Sequence, residues 1–105
     1  MHRELSETGL SADTIEKIQT VFSHYLDIES VSVYGSRAKG NFQKGSDIDL
    51  TIMSDTLEGA QLIKLEVELD DLLLPYKIDL SLFRNIQNSD LIEHINRVGI
   101  ELYHR

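Results

Sequence analysis

The residues of this chain best suited to chemistry are aspartates placed where aspartate is disfavoured. Asp47 and Asp49 stand two apart at the start of the run Ile48-Asp49-Leu50-Thr51-Ile52-Met53, and Asp79 lies between Ile78 and Leu80. β-Strands are depleted in aspartate, yet both segments alternate apolar and polar residues in the way of half-buried strands. Two residues apart on a strand means one face, with the carboxylates about 6.6 Å apart along the chain. If the two strands are neighbours, Asp79 can join them. Carboxylates crowded in this way repel, by about 4 kcal/mol for a pair at ~4 Å in an effective dielectric of ~20. A shared proton, basic side chains or a hard cation must offset that. An all-oxygen ligand set favours Mg²⁺ or Mn²⁺ over zinc, and two such ions can clamp the oxygens of an in-line displacement at phosphorus. The aspartates by themselves also admit a plainer reading, as solvent-facing residues of an exposed sheet face.

The segment upstream decides between the two. Val31-Ser32-Val33-Tyr34 reads as a short strand, and Gly35-Ser36 follows it directly, with Gly40 and Gly45 at short intervals. Glycine allows the close backbone approach by which successive N–H groups line a phosphate. Ser36 adds a hydroxyl, and a helical turn starting there would aim its N-terminus at the same anion. Arg37, Lys39 and Lys44 bring positive charge, with Arg37 the first choice for a phosphate contact. The segment is neither a GxxxxGK[ST] loop nor a GxGxxG fingerprint. Its weight comes from ending in Ser46-Asp47-Ile48-Asp49, which sets a phosphate cradle and metal ligands within fifteen residues of each other.

Gly35-Ser36-Arg37-Ala38-Lys39-Gly40, five residues, then Ser46-Asp47-Ile48-Asp49-Leu50 resembles the two-part signature of the DNA polymerase beta-like nucleotidyltransferase superfamily, and Ile78-Asp79-Leu80 resembles its third carboxylate motif. Brevity makes the chain similar to the minimal nucleotidyltransferases, commonly encoded beside a HEPN-domain protein. The resemblance implies a nucleotidyltransferase fold using a nucleoside triphosphate, expected to be ATP, and two Mg²⁺ ions. It further implies that Asp47, Asp49 and Asp79 hold the metals and that Asp79 helps deprotonate the attacking hydroxyl. Gly35 and Ser36, with Arg37 and Ser46 beside them, are expected to bind the phosphates. In the paired systems the transferase is the antitoxin and adenylylates a tyrosine of the HEPN ribonuclease toxin, so a HEPN partner in a hetero-oligomer is the implied partner.

Around these motifs the chain reads as one α/β (α+β) domain over residues 1–105, with a small mixed sheet of three to four strands and about four flanking helices. Residues 11–27 form an amphipathic helix capped by Ser11 or Asp13, with Ile15, Ile18, Phe22 and Tyr25 inward. Residues 57–74 form a second helix, ended by Pro75. It carries one stripe of Leu62, Leu65, Leu69 and Leu72 and another of Ile63, Val67 and Leu74. One core face needs only one stripe; the second is more commonly extra core packing, but it hints at an apolar surface. Lys77–Phe83 is a strand, Asn88 or Ser89 starts a helix with Leu91, Ile92, Ile95 and Val98 inward, and Ile100–Tyr103 is a closing strand.

Composition narrows the partners. With 18 acidic against 10 basic side chains and a net charge of −8, a broad nucleic-acid footprint is disfavoured. A basic protein or a metal-carrying anion suits the charge better. No apolar run approaches a membrane span, Met1-His2-Arg3-Glu4 lacks a secretory pattern, and the absence of cysteine fits a reducing cytoplasm. His2, His24, His94 and His104 lack ligand spacing, and Tyr34 reads as core. Lys77 shares a face with Asp79 and could neutralise it or simply be solvated. Two other functions stay open: a module that neutralises its partner by contact alone, and a small-molecule nucleotidyltransferase.

Overall fold

The computed structural model describes residues 4–105. Alternation of buried and less buried residues builds the sheet. Val31 and Val33 of β1 (Ser30–Tyr34) and Ile48, Leu50 and Ile52 of β2 (Ile48–Met53) are fully buried on one face. Leu82 of β3 (Ile78–Leu82) and Leu102 of β4 (Ile100–His104) join the same core cluster. The strand order is β3-β2-β1-β4. β1 runs antiparallel to β2 and β4, and β2 runs parallel to β3. The expected mixed sheet is therefore present, with four strands and four α-helices among the described residues.

Two helices cover the core face. α1 (Ala12–Ser23) starts where the Ser11 hydroxyl accepts from the Thr14 N–H at 3.1 Å, and it lays Ile18, Val21 and Phe22 on the sheet. Ser11 alone is its cap, not Asp13, and the helix stops four residues before the expected end. α3 (Gly59–Asp70) opens with a reciprocal Glu58–Gln61 cap and buries Leu65 and Leu69. It ends five residues short of Pro75. Asp70 and Asp71 oppose the negative end of the helix dipole, Pro75 disfavours a helical Leu74, and Leu73 takes φ +54. The second apolar stripe divides: Leu74 packs against the core, whereas Ile63 is 66% and Val67 53% exposed. Only Leu74 of it is therefore the extra core that two stripes most commonly signal.

α2 (Gly35–Lys39) is a single short helix directly after β1, and α4 (Ser89–Val98) packs against α2 and β1. Asn88 caps α4 by accepting from the N–H groups of Asp90 and Leu91. The turn between β2 and α3 is tied to the α1–β1 loop. There the Ser54 hydroxyl donates to the Asp27 carbonyl, and the Asp27 carboxylate accepts from Thr56 and Gln61. No helix among the described residues is long and apolar enough to cross a membrane.

Candidate active site

The site forms at the end of the sheet where β1 finishes and β2 and β3 begin. Register does the assembling. Tyr34 pairs with Asp49 across the antiparallel ladder, and Asp49 pairs with Asp79 across the parallel one. Register partners share a face and stand one strand spacing apart, about 4.8 Å. Asp47, exposed and just before β2, falls on that face by alternation. Asp49 is half-buried, and its carboxyl is pushed above the ordinary range, chiefly by burial and then by the charges of Asp79 and Asp47. The three aspartates thus meet electrostatically. Among the described residues they do not close into a ready-made cation cage.

Gly35 makes this convergence possible. Its φ is +73, and a Cβ there would lie 2.2 Å from Oδ2 of Asp49. Any side chain would both strain the backbone and displace the carboxylate. Gly35 opens α2, whose first-turn N–H groups have no partner within the helix, and Ser36 sits half-buried beside it. Gly40 ends that turn in the left-handed region and donates to the Ser36 carbonyl at 2.9 Å.

Three residues join the site that sequence spacing did not place there. The Gly35 N–H donates to Nε2 of His94 at 3.0 Å, and the His94 ring meets Tyr34 edge-on with centroids 6.2 Å apart. Burial holds the imidazole pKa below its ordinary value, helped by Lys39 and Arg97 and opposed by Glu93; a neutral ring keeps Nε2 an acceptor. Tyr34 is not simply core. Its phenol is raised by burial and by Asp49 and Asp79, and lowered by a hydrogen bond with Ser81. Alternation from Asp49 could have found Tyr34 and Ser81. Nothing local could have found His94, which lies 59 residues from Gly35.

Arg37, expected at the phosphates, lies buried in the loop. It is 2% exposed, donating from Nε and Nη2 to the Ser46 carbonyl and from Nη1 to the Thr8 carbonyl. Its guanidinium lies over the rings of Phe42 and Tyr76 at 5.0 and 4.7 Å. A guanidinium held in this way braces the loop, with three of its N–H groups donating to the Ser46 and Thr8 carbonyls. Ser46 is part of the same brace, and its hydroxyl accepts from the Gln43 N–H at 2.8 Å. Lys39, Lys44 and Lys77 are exposed. His24 is exposed beyond α1, His104 contacts Glu101 at 3.1 Å, and His2 lies outside the described residues.

The family described as Polymerase beta, Nucleotidyltransferase matches residues 16–105. A search of curated proteins gives no match. Among solved structures, a toxin–antitoxin with AMP-PNP is similar with a TM-score of 0.70 and 22% identity, over 87% of this chain and 73% of that one. The toxin–antitoxin MntA-HepT gives 0.67 and 20% over 90% and 74%. A tri-AMPylated Shewanella oneidensis HEPN toxin in complex with MNT antitoxin gives 0.64 and 20% over 88% and 71%. At such identities these likenesses carry the fold.

Proposed function

The chain belongs to the Polymerase beta, Nucleotidyltransferase family, and from that premise we propose that it moves AMP from ATP to a hydroxyl of a partner protein. The partner is a HEPN-domain ribonuclease toxin, for which this chain is the antitoxin. The observation that carries the reading is the register that sets Asp49 beside Asp79, with Gly35 packed so closely that only a glycine leaves room for the Asp49 carboxylate. The structural relatives support the partner and nucleotide, since they are toxin–antitoxin complexes, one with AMP-PNP and one with an AMPylated HEPN toxin.

The donor set fits Mg²⁺. It is all oxygen, the Asp49 carboxyl is raised by burial first and by Asp79 and Asp47 after it, and a divalent cation would relieve the repulsion among the three. Asp47, Asp49 and Asp79 would hold two ions, which when bound supply charge neutralisation for the triphosphate. The chain's own residues do the rest. Ser36 and the backbone of Gly35, whose N–H is held by His94, line the leaving phosphates, and Asp79 accepts the proton of the attacking hydroxyl. The hydroxyl oxygen bonds to the α-phosphorus, the bond from that phosphorus to the bridging oxygen breaks, and pyrophosphate leaves with the electron pair. Ser46 serves the phosphates indirectly, by fixing the loop with Arg37.

The test is incubation of the chain with α-labelled ATP, Mg²⁺ and its HEPN partner. Label is expected on the partner with wild type, and none above background with Asp47→Asn/Asp49→Asn. Equal label with both proteins, or none with either, overturns the transferase. The exposed Ile63 and Val67 favour a second reading, neutralisation by contact alone. It predicts that the double variant neutralises the partner as well as wild type does.

A further inference from the structure

β3 carries Asp79 and lies at the edge of the sheet. The Ile48 N–H donates to the Lys77 carbonyl at 2.9 Å. Backbone groups alternate sides along a strand in a parallel ladder. The main-chain groups of Lys77, Asp79 and Ser81 therefore face β2, and those of Ile78 and Leu80 face outward. An edge of this kind is a template for another strand. Ile78 and Leu80 also line a groove of about 210 Å³ beside that edge, together with Leu69, Glu66, Asp70 and Lys77. Three of these residues are apolar, and the other three bring two carboxylates against one ammonium. α3 presents an exposed stripe at helical spacing, Ile63, Glu66, Val67 and Asp70, of which Glu66 and Asp70 line the groove. Leu73, 88% exposed at φ +54, stands in the loop that feeds β3.

We propose that the outer edge of β3 is where the acceptor protein docks, by adding an extended basic segment as a fifth strand. Main-chain bonds to Ile78 and Leu80 hold the segment. Its alternate apolar side chains seat on Leu69, Ile78 and Leu80, and its Lys or Arg residues face Glu66 and Asp70, the division of labour general to strand addition. The inference rests on the transferase reading for its meaning, because it says from which side the hydroxyl arrives. A segment on this edge runs about 4.8 Å from the strand that carries Asp79. The other free edge, on β4, is three strands away from β3. Charge selects the occupant: a second copy of this chain would bring net charge −8 and its own Glu66 and Asp70 against the same wall, a like-charge juxtaposition that excludes wrong partners.

The experiment uses the Asp47→Asn/Asp49→Asn chain and the purified HEPN partner, so that binding is read without turnover. Amide hydrogen exchange at Ile78 and Leu80 is expected to slow at least about tenfold on adding the partner. Glu66→Lys/Asp70→Lys, placed in this background, is expected to weaken the calorimetric Kd about tenfold or more. In the otherwise wild-type chain that pair leaves AMP-PNP affinity unchanged. Partner binding with both amides unprotected, or binding untouched by the charge reversal, overturns the docking site. So does no binding at all, and so does protection of the same amides by self-association without partner. Docking at this edge with no label transferred by wild type would leave the site standing and remove the transferase.

Discussion

The Asp49 carboxylate is the pivot of the site because two features press on it at once. Burial, and after it Asp79 and Asp47, raise the electrostatic cost of its charge, and Gly35 gives it room only by having no side chain. Gly35→Ala is therefore a sharp probe. The left-handed backbone alone costs about 1–2 kcal/mol for a residue with a Cβ, and the methyl would drive the carboxylate from its place. We expect urea unfolding to show that loss of stability and the labelling reaction to fall to background. A variant that kept wild-type labelling would show that the contact between Gly35 and Asp49 has no bearing on the reaction.

Elements are held in place here by one buried cation. Arg37 belongs to α2, yet it fastens the turn at Thr8 and the carbonyl just before Asp47, and it stacks on Phe42 and on Tyr76 in the lead-in to β3. It thereby joins the segments that carry Gly35, Asp47 and Asp79. Removing it leaves the buried Thr8 carbonyl and the part-buried Ser46 carbonyl without these donors, and hydrogen bonds to charged groups are worth about 1.5–3 kcal/mol each. Arg37→Ala is expected to lower the unfolding free energy by about 3 kcal/mol or more in a denaturant titration. Arg37→Lys should recover only part of this, because one ammonium cannot span the same fork of carbonyls. If Arg37 instead touched phosphate, Arg37→Ala would leave stability unchanged and weaken AMP-PNP binding.

The whole molecule registers the site through its dependence on pH and metal. Asp49 holds its proton more tightly folded than unfolded. Below the ordinary carboxylate range this group costs nothing, and the penalty grows as pH rises through its raised value, where the folded state must accept the charge. At neutral pH without metal, Asp49→Asn should therefore melt higher than wild type, with the gain vanishing in acid. Mg²⁺ should reverse the order. A ligand at a hundred times its Kd adds about 2.7 kcal/mol of stability, and the asparagine variant should gain far less. Calorimetric melts over a pH series with and without Mg²⁺ read both effects, and a Mg²⁺ response equal in the two proteins would count against the aspartates as ligands.

Much of this was legible in the sequence, for a physical reason. Strand and helix identity, the faces of Asp47, Asp49 and Asp79, and the glycine turn all follow from local periodicity and backbone sterics, which act over a few residues. The family match extends along residues 16–105, as the motifs implied. What lies between segments far apart in the chain was decided by folding. The parallel register that pairs Asp49 with Asp79, the return of His94 to the Gly35 N–H and the place of β4 beside β1 depend on hydrogen bonds between distant segments. Arg37 shows the limit most clearly. Next to a phosphate cradle its residue type suggested an anion contact, and only the surrounding carbonyls and rings, brought by Thr8, Ser46, Phe42 and Tyr76, made it a brace. The exposed face of α3 is a second case. Periodicity could count two apolar stripes, but only the packing against β3 showed which of them the core had taken and which it had left beside an open edge.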